Sequence, residues 1–553
     1  MTGAGAPRHR GLPAKPLADA LVAAGTELLF GVPGGGSNLD VIGAAEAAGC
    51  RFVLAHGETA AGIMAGVTGE LTGRPGACVV TRGPGAASAV NAVAQAWLDR
   101  QPMVLLTDCV TSGDAARVSH QRLDHQALFG GITKASVRCP ADDGRLPDLL
   151  ALTVEGRPGP VHVDLDPDAP PTTSQSSPAA ETHETVDLDV LRAALRSARR
   201  PVVVAGVGTI AVPAGRRDAL QEALHRFLAE APVAVLTTYK ARGVISDLDP
   251  RAAGVATGGT IESAVLASAD LIIGVGLDPV ELIPAPWPYP APVVLLGAWA
   301  NDDSTFFGDR VAHEVTGDLA GTLEALAGSL APDPEPVPAQ RSRSLALERL
   351  QAAEPPSPAG LTAREVVSVT QDAAGPDAIA TVDAGAHMLV AVPQWEARTS
   401  DDLLVSSGLA TMGFALPAAI ATALVHPGRR VVCFTGDGGL GMVLAELETL
   451  ARLQLDVLVV VFNDSTLSLI AIKQRSEGQG GTGAVRYRST DYAAVARGCG
   501  LAAETVRDEA ALKRAVLAAC GRRGPALLDV TVDPSGYGAV LEAIRGTRTT
   551  TAS

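Results

Sequence analysis

Short apolar runs alternate with helical patterns along nearly the whole chain. Four to seven consecutive apolar residues, many of them β-branched, mark strands buried on both faces of a parallel sheet. Such runs predict strands at 28–32, 51–54, 77–81, 103–107 and 161–165, then at 201–205, 233–237, 271–275 and 293–296, and finally at 378–382, 403–406, 431–434, 456–462 and 526–532. Between them apolar residues return at helical spacing, as Leu444, Leu447, Leu450 and Ala451 do in a helix expected over 443–453. This alternation predicts an α/β chain of three doubly wound parallel sheets.

Two stretches break the pattern: 166–185 (DPDAPPTTSQSSPAAETHET) and 331–360, both rich in proline, serine and charge. Segments of this composition bury too little apolar surface to order themselves, so they read as linkers between domains at 13–168, 186–330 and 360–540. The ends, up to about residue 12 and from 547 onward, are expected to be disordered tails.

Composition narrows the function. At 553 residues the chain is too long for one core, and 47% hydrophobic residues supply several. The balance of 44 basic against 60 acidic residues, net −16, argues against nucleic acid or an anionic membrane as partner. Seven cysteines are scattered without a CxxC pair, as expected of reduced packing residues. No apolar run reaches about 18 residues, and the opening MTGAGAPRHRG lacks the apolar core of a signal peptide, so a cytoplasmic location is expected.

Candidate chemistry is concentrated between 429 and 474. A strand is followed by Gly436-Asp437-Gly438-Gly439, a helix and a second strand that ends in Asn463-Asp464. The crossover brings Asp437 and Asp464 together at the carboxyl ends of neighbouring strands, where doubly wound sheets open their ligand crevice. Two hard oxygen ligands beside a glycine loop suit Mg²⁺ or Ca²⁺ bridging a diphosphate. A lone Gly-Asp-Gly turn fits an ordinary βαβ unit with solvated acids equally well; the Asn463-Asp464 pair moves the balance toward the metal.

These residues, with the Glu446-Leu447-Glu448-Thr449 helix, resemble the diphosphate-binding motif of thiamine-diphosphate enzymes in the acetolactate synthase and 2-ketoacid decarboxylase superfamily. That motif usually ends in Asn-Asn. The Asn-Asp form is similar to the catabolic, flavin-independent acetolactate synthases and related carboligases. The resemblance extends over about 13–540 and implies a pyrimidine-binding domain, a Rossmann-like middle domain and a diphosphate-binding domain, in that order.

In the first segment, Gly34-Gly35-Gly36 follows a strand; it is either a place of close ligand approach or an ordinary glycine-rich turn. Glu58 opens a helix built of small residues, and alone it reads as an acid favoured by the helix dipole. By resemblance it matches the glutamate that hydrogen-bonds the cofactor pyrimidine and drives deprotonation at the thiazolium C2. Thr81-Arg82-Gly83-Pro84-Gly85 is similar to the second glycine turn of the family, with Arg82 in place of Ser as either a carboxylate-binding or a surface charge. His120-Gln121-Arg122-Leu123-Asp124 resembles a Phe-Gln-Glu stretch, which makes Gln121 a substrate-side residue, with His120 at the aromatic position.

In the middle segment, Gly206-Val207-Gly208-Thr209-Ile210-Ala211 fits the GxGxxA form of a dinucleotide turn, but no ribose-binding acid follows about 20 residues on. Flavin-dependent relatives carry Arg-Phe-Asp-Asp-Arg where this chain has Gly276-Leu277-Asp278-Pro279-Val280-Glu281, so no FAD is expected. In the third segment Asp383-Ala384-Gly385-Ala386-His387 resembles a Gly-Gln-His near the diphosphate, with Ala386 at the Gln position. His387 can also be a satisfied loop histidine. Met412, in Gly408-Leu409-Ala410-Thr411-Met412-Gly413, matches the large apolar residue that enforces the bent cofactor conformation; alone it would be core filler.

By resemblance the Mg²⁺ ligands are Asp437, Asp464 and the Thr466 carbonyl, and Gly385, His387, Met412, Gly436, Gly438 and Gly439 line the cofactor. Lys473 stands where a Trp selects larger acceptors, and the glycine-rich 476–483 reads as a lid. The implied activity is carboligation: a 2-ketoacid, pyruvate foremost, loses CO₂ and its acyl carbanion is transferred to a second carbonyl acceptor. A decarboxylase or acyl transferase of the same superfamily is the alternative, and a non-catalytic assembly partner the alternative of another class. Glu58 would face the metal site of a second subunit, which implies a homodimer or homotetramer.

Overall fold

Each predicted apolar run becomes a strand, with ends moved by at most two residues. The computed structural model describes residues 12–169, 188–229, 231–301, 304–331, 335, 337–357, 360–478 and 483–546. They belong to two compact units, one ending at 180 and the other beginning at 181. The expected tails, most of the 166–185 linker and the centre of the expected lid lie outside the described residues.

The first unit holds one six-stranded sheet. Its strands lie in the order Arg51–Leu54, Leu28–Val32, Gly76–Val80, Met103–Asp108, Pro160–Leu165 and Ala135–Cys139. The second unit holds two sheets. One runs Val311–Thr316, Val293–Gly297, Leu271–Val275, Pro201–Ala205, Ala234–Thr237 and Ala252–Val255, the order of a dinucleotide-binding fold. The other runs Leu403–Val405, Ile379–Val382, Val431–Gly436, Val457–Asn463, Ala526–Thr531 and Ala502–Val506, the same order as the first sheet. All neighbours pair in parallel.

Four strands had no apolar signature: Ala135–Cys139, Ala252–Val255, Val311–Thr316 and Ala502–Val506. All four are sheet edges, and three of them are mostly half-buried or exposed. An edge strand covered on fewer sides needs no unbroken apolar run. The central strands are the opposite case: every residue of Val457–Asn463 is buried. Burying each Val or Leu there contributes roughly 1.5–3 kcal/mol.

Two helical expectations need correction. The helix expected over 443–453 starts later, as Glu446–Leu453, and is preceded by a short unexpected helix, Asp437–Met442, that begins inside the glycine turn itself. The stretch 331–360, expected to be a linker, contains the helix Ala339–Ala353. Its alanine, leucine, glutamate and arginine favour helix, and it buries Leu350 against the core of the second unit.

Candidate active site

Strand Val431–Gly436 ends at Gly436, and Asp437 opens the short helix Asp437–Met442. Asp437 is only 3% exposed. Its Oδ1 accepts from the Gly438 amide at 2.7 Å and from the Tyr487 hydroxyl at 2.6 Å, and its Oδ2 accepts from the Ser465 amide at 2.6 Å. The Tyr492 hydroxyl donates to the Asp437 carbonyl at 2.8 Å. Four donors therefore fix this carboxylate and its backbone, while burial pushes the carboxyl above its ordinary range.

Asp464 follows the neighbouring strand. Its Oδ1 accepts from the Thr466 amide at 2.9 Å and its Oδ2 from the Ser468 hydroxyl. Burial, with the adjacent Asp437 charge adding to it, pushes this carboxyl up to about 6. Ser465, directly after Asp464 and bonded through its amide to Asp437, takes a left-handed conformation, φ 57°, a strain typical of functional turns. Among the described residues neither Asp437 nor Asp464 forms an ion pair with a Lys, Arg or His. Asn463 points elsewhere, donating to Asp529 at 2.9 Å.

Both acids open onto a cavity of about 300 Å³ that is also lined by Gly385, His387, Met412, Gly436, Gly438, Gly439, Thr466 and Lys473. All the third-segment metal and cofactor candidates named in the sequence are thus brought together. The His387 ring stacks on Phe462 at 5.0 Å and is bonded to the Phe434 carbonyl; burial pulls its pKa down to about 4, so it is neutral. Its buried Nε2 has no partner among the described residues. Met412 Cε lies 3.3 Å from where a Cβ on Gly438 would stand, so the thioether reaches the glycine turn.

Beneath the turn lies Asp383, a residue the motif contained but whose part was not legible. It accepts from the Gly413 amide at 3.2 Å, the Phe414 amide at 3.0 Å and the Thr435 hydroxyl at 2.9 Å, tying the Met412 loop to the turn. A Cβ on Gly439 would stand 2.1 Å from its Oδ2, which explains that glycine. Burial pushes Asp383 up to about 6. Tyr487 and Tyr492 were also missed: each is a lone tyrosine some 50 positions from the acid it touches.

In the first unit the glycine turn after Gly76–Val80 gathers the other candidates. Glu58 opens helix Glu58–Thr72, and its Oε1 lies 3.2 Å from where a Cβ on Gly85 would be. Gln121, at φ 56°, packs its Cβ 2.9 Å from the corresponding point on Gly83. The Arg82 amide donates to Asp108 at 2.6 Å and its guanidinium to the Cys109 carbonyl at 3.4 Å, while His120 is exposed. The space beside Gly34 and Gly36 goes to the chain's own Thr81 and Asp108 side chains rather than to a ligand.

Residues 14–128, 188–326 and 383–530 match, in turn, the models of the N-terminal TPP binding domain, the central domain and the C-terminal TPP binding domain of thiamine pyrophosphate enzymes. The chain is 30% identical to the catabolic acetolactate synthase of Raoultella terrigena, over 93% of each chain. It is 28% identical to the acetolactate synthase of Bacillus subtilis over 96% of this chain and 94% of the relative. An acetolactate synthase isozyme 1 large subunit of Escherichia coli is also 28% identical, over 92% of each.

The chain belongs to the thiamine pyrophosphate enzymes.

The residues of this thiamine pyrophosphate enzyme fit the group its family uses. Two desolvated carboxylates that form no ion pair among the described residues, in a cavity also lined by Thr466, offer hard oxygens suited to a divalent ion. The unpartnered His387 nitrogen adds a polar atom, and Gly436 and Gly438 keep side chains off the turn where His387, Leu467 and Met412 close in around it. The middle domain differs. Its Gly206–Gly208 turn forms only the short 3₁₀ segment Val207–Thr209, and the Val207 amide that would meet a pyrophosphate donates instead to Glu281 at 2.7 Å. Burial pushes Glu281 up to about 8. No helix among the described residues is long and apolar enough to cross a membrane.

Proposed function

We propose that this chain is a carboligase that decarboxylates a 2-ketoacid, with pyruvate as the first substrate to test, and transfers the acyl unit to a second carbonyl, as its acetolactate synthase relatives are named for. The observation that carries this is the Asp437–Asp464 pair, one buried and one half-buried, which share a cavity with Thr466, His387 and Met412 and form no ion pair among the described residues. On this reading 13–168 holds the pyrimidine, 186–330 is a spacer domain, and 360–540 holds Mg²⁺ and the diphosphate. When bound, thiamine diphosphate supplies the electron sink that makes loss of CO₂ from a 2-ketoacid possible.

The chain's own residues do the rest. Asp437, Asp464 and the Thr466 carbonyl hold Mg²⁺; His387 and the glycine turn receive the diphosphate; Met412 supports the cofactor from below. Glu58 holds a proton at the pyrimidine, reaching the metal site from a second subunit, so the working unit is a homodimer or homotetramer. Gln121 and Arg82 face the substrate carboxylate. The Glu281 carboxyl on the Val207 amide supports a middle domain that works without FAD. A cytoplasmic location accords with the free cysteines, five of which are buried.

Product analysis tests the reading. Purified protein with pyruvate, Mg²⁺ and thiamine diphosphate is expected to form a condensation product such as acetolactate. Acetaldehyde alone, with no condensation product in the presence of added carbonyl acceptors, would assign it to the decarboxylases instead.

A further inference from the structure

The first unit contains a second buried polar cluster. His125, which opens helix His125–Phe129, and His162 and Asp164, on strand Pro160–Leu165, are at most 1% exposed. His125 Nδ1 lies 2.7 Å from Asp164 Oδ1, and the Gly83 amide donates to His125 Nε2 at 3.3 Å. Gln126 donates to Asp164 Oδ2 at 2.9 Å, and the Thr107 hydroxyl bonds the same carboxylate. The His162 ring is bonded at both nitrogens, to Thr107 and Ser136, each at 2.8 Å. Although the three ligand-type side chains are close enough for a metal, every ring nitrogen already has a protein partner.

The ends of this relay dictate its protonation. Burial opposes ionisation of Asp164, but hydrogen bonds from His125 and His162 overcome it and hold the carboxyl far below its ordinary range. An ionised carboxylate only accepts, so His125 carries its proton on Nδ1. A backbone amide only donates, so Nε2 presents its lone pair to Gly83. Gly83 needs the help: at φ 67° and ψ −106° it has a conformation closed to other residues, and the place of its Cβ is filled by Gln121. Gln121 is itself left-handed, and two residues beyond Gly83, Gly85 makes room for Glu58.

We propose that His125, locked in one tautomer by Asp164, is the positioning residue that holds the Gly83 turn, and through it Gln121 and Gly85, in register with Glu58. It touches no reacting atom; it acts through the turn. The inference rests on the carboligase reading, since it assigns Gln121 and Glu58 to the reaction.

The test is steady-state kinetics with pyruvate on the full-length protein, with thiamine diphosphate affinity and thermal midpoint measured in parallel. His125→Leu removes the acceptor and is expected to lower kcat about 10- to 100-fold, the scale of a small misplacement at a reacting centre. His125→Gln keeps an acceptor near the Gly83 amide and should restore kcat to within about fivefold of wild type, a rescue that packing volume alone does not predict. Asp164→Asn, nearly isosteric, keeps its amide oxygen on the donor Gln126 and turns its NH₂ to His125, which shifts the imidazole proton to Nε2 against the Gly83 amide and should match His125→Leu. It carries the test where the leucine variant does not fold.

Equal loss in the Gln and Leu variants, or kcat within twofold of wild type in a folded His125→Leu or Asp164→Asn, overturns the inference while the carboligase reading stands. A wild-type protein that binds the cofactor but makes no product from 2-ketoacids overturns both.

Discussion

The first and third sheets share one strand order and carry a glycine turn after the corresponding strand, yet the two turns are completed in opposite ways. In the first, the successive amides of Arg82 and Gly83 are filled by protein acceptors, Asp108 directly and Asp164 through His125. In the third, the acid lies inside the turn as Asp437, and the acid beyond the next strand, Asp464, faces the same cavity. Asp108 ends one strand and Asp464 follows its equivalent; one is spent on a backbone amide, the other lines the cavity and forms no ion pair among the described residues. One topology thus offers two crevices. Side chains fill the amides of the first turn and leave the acids of the third on a cavity, which on the proposed reading suits the first to an uncharged ring and the third to a cation and its diphosphate.

The sharpest way to probe the difference is to disable one crevice and leave the other. Glu58→Gln in the first should lower kcat by at least about 100-fold, the scale of general acid–base catalysis, while Mg²⁺-dependent cofactor affinity stays within about threefold. Product assay and calorimetry on the same preparation read both. Retained turnover would break the assignment of the first crevice to chemistry.

Filling each turn is the next probe. A Cβ would stand 2.1 Å from Asp383 Oδ2 at Gly439 and 2.4 Å from Asp108 Oδ2 at Gly36. Gly439→Ala and Gly36→Ala should each destabilise by about 1–3 kcal/mol in urea unfolding. Only Gly439→Ala should also weaken cofactor binding, because only that turn carries the open acid.

Smaller effects are expected at the rim and in the middle domain. Lys473 lines the cavity mouth and has no ion-pair partner among the described residues, so Lys473→Glu should raise KM for pyruvate about threefold, less at high salt. The smallest expected effect is on stability. Glu281 is pushed up to about 8, above its unfolded value, so the native state binds more protons than the unfolded one. Its contribution is full below the unfolded pKa and is lost as pH rises through the folded one. Unfolding midpoints should decrease as pH rises from 5 to 8, and Glu281→Gln should flatten part of that slope; Glu354, Asp383 and Asp464, all near 6, contribute to the rest.

How much was legible follows from where the information sits. Buried central strands announce themselves because both faces must be apolar, whereas Val311–Thr316 and Ala502–Val506 are edges and do not. Asp437, Asp464, His387 and Met412 were found because each belongs to a contiguous motif. Tyr487, Tyr492 and the service of Asp383 beneath the turn depend on contacts across some 30 to 55 positions, which no local pattern records. The Gly34–Gly36 turn stayed open between two readings for the same reason: only the fold reveals that Thr81 and Asp108 fill its space.

The central claim, that the third crevice is built for a cation and a diphosphate, is tested most directly by calorimetric titration of thiamine diphosphate into wild-type and Asp437→Ala protein, each with Mg²⁺ and with a chelator. The account predicts saturable binding only for the wild type with Mg²⁺, and a loss of at least about 100-fold in affinity in the variant, since several kcal/mol of metal and phosphate interaction vanish together. Equal binding by Asp437→Ala, or wild-type binding indifferent to the chelator, would contradict it.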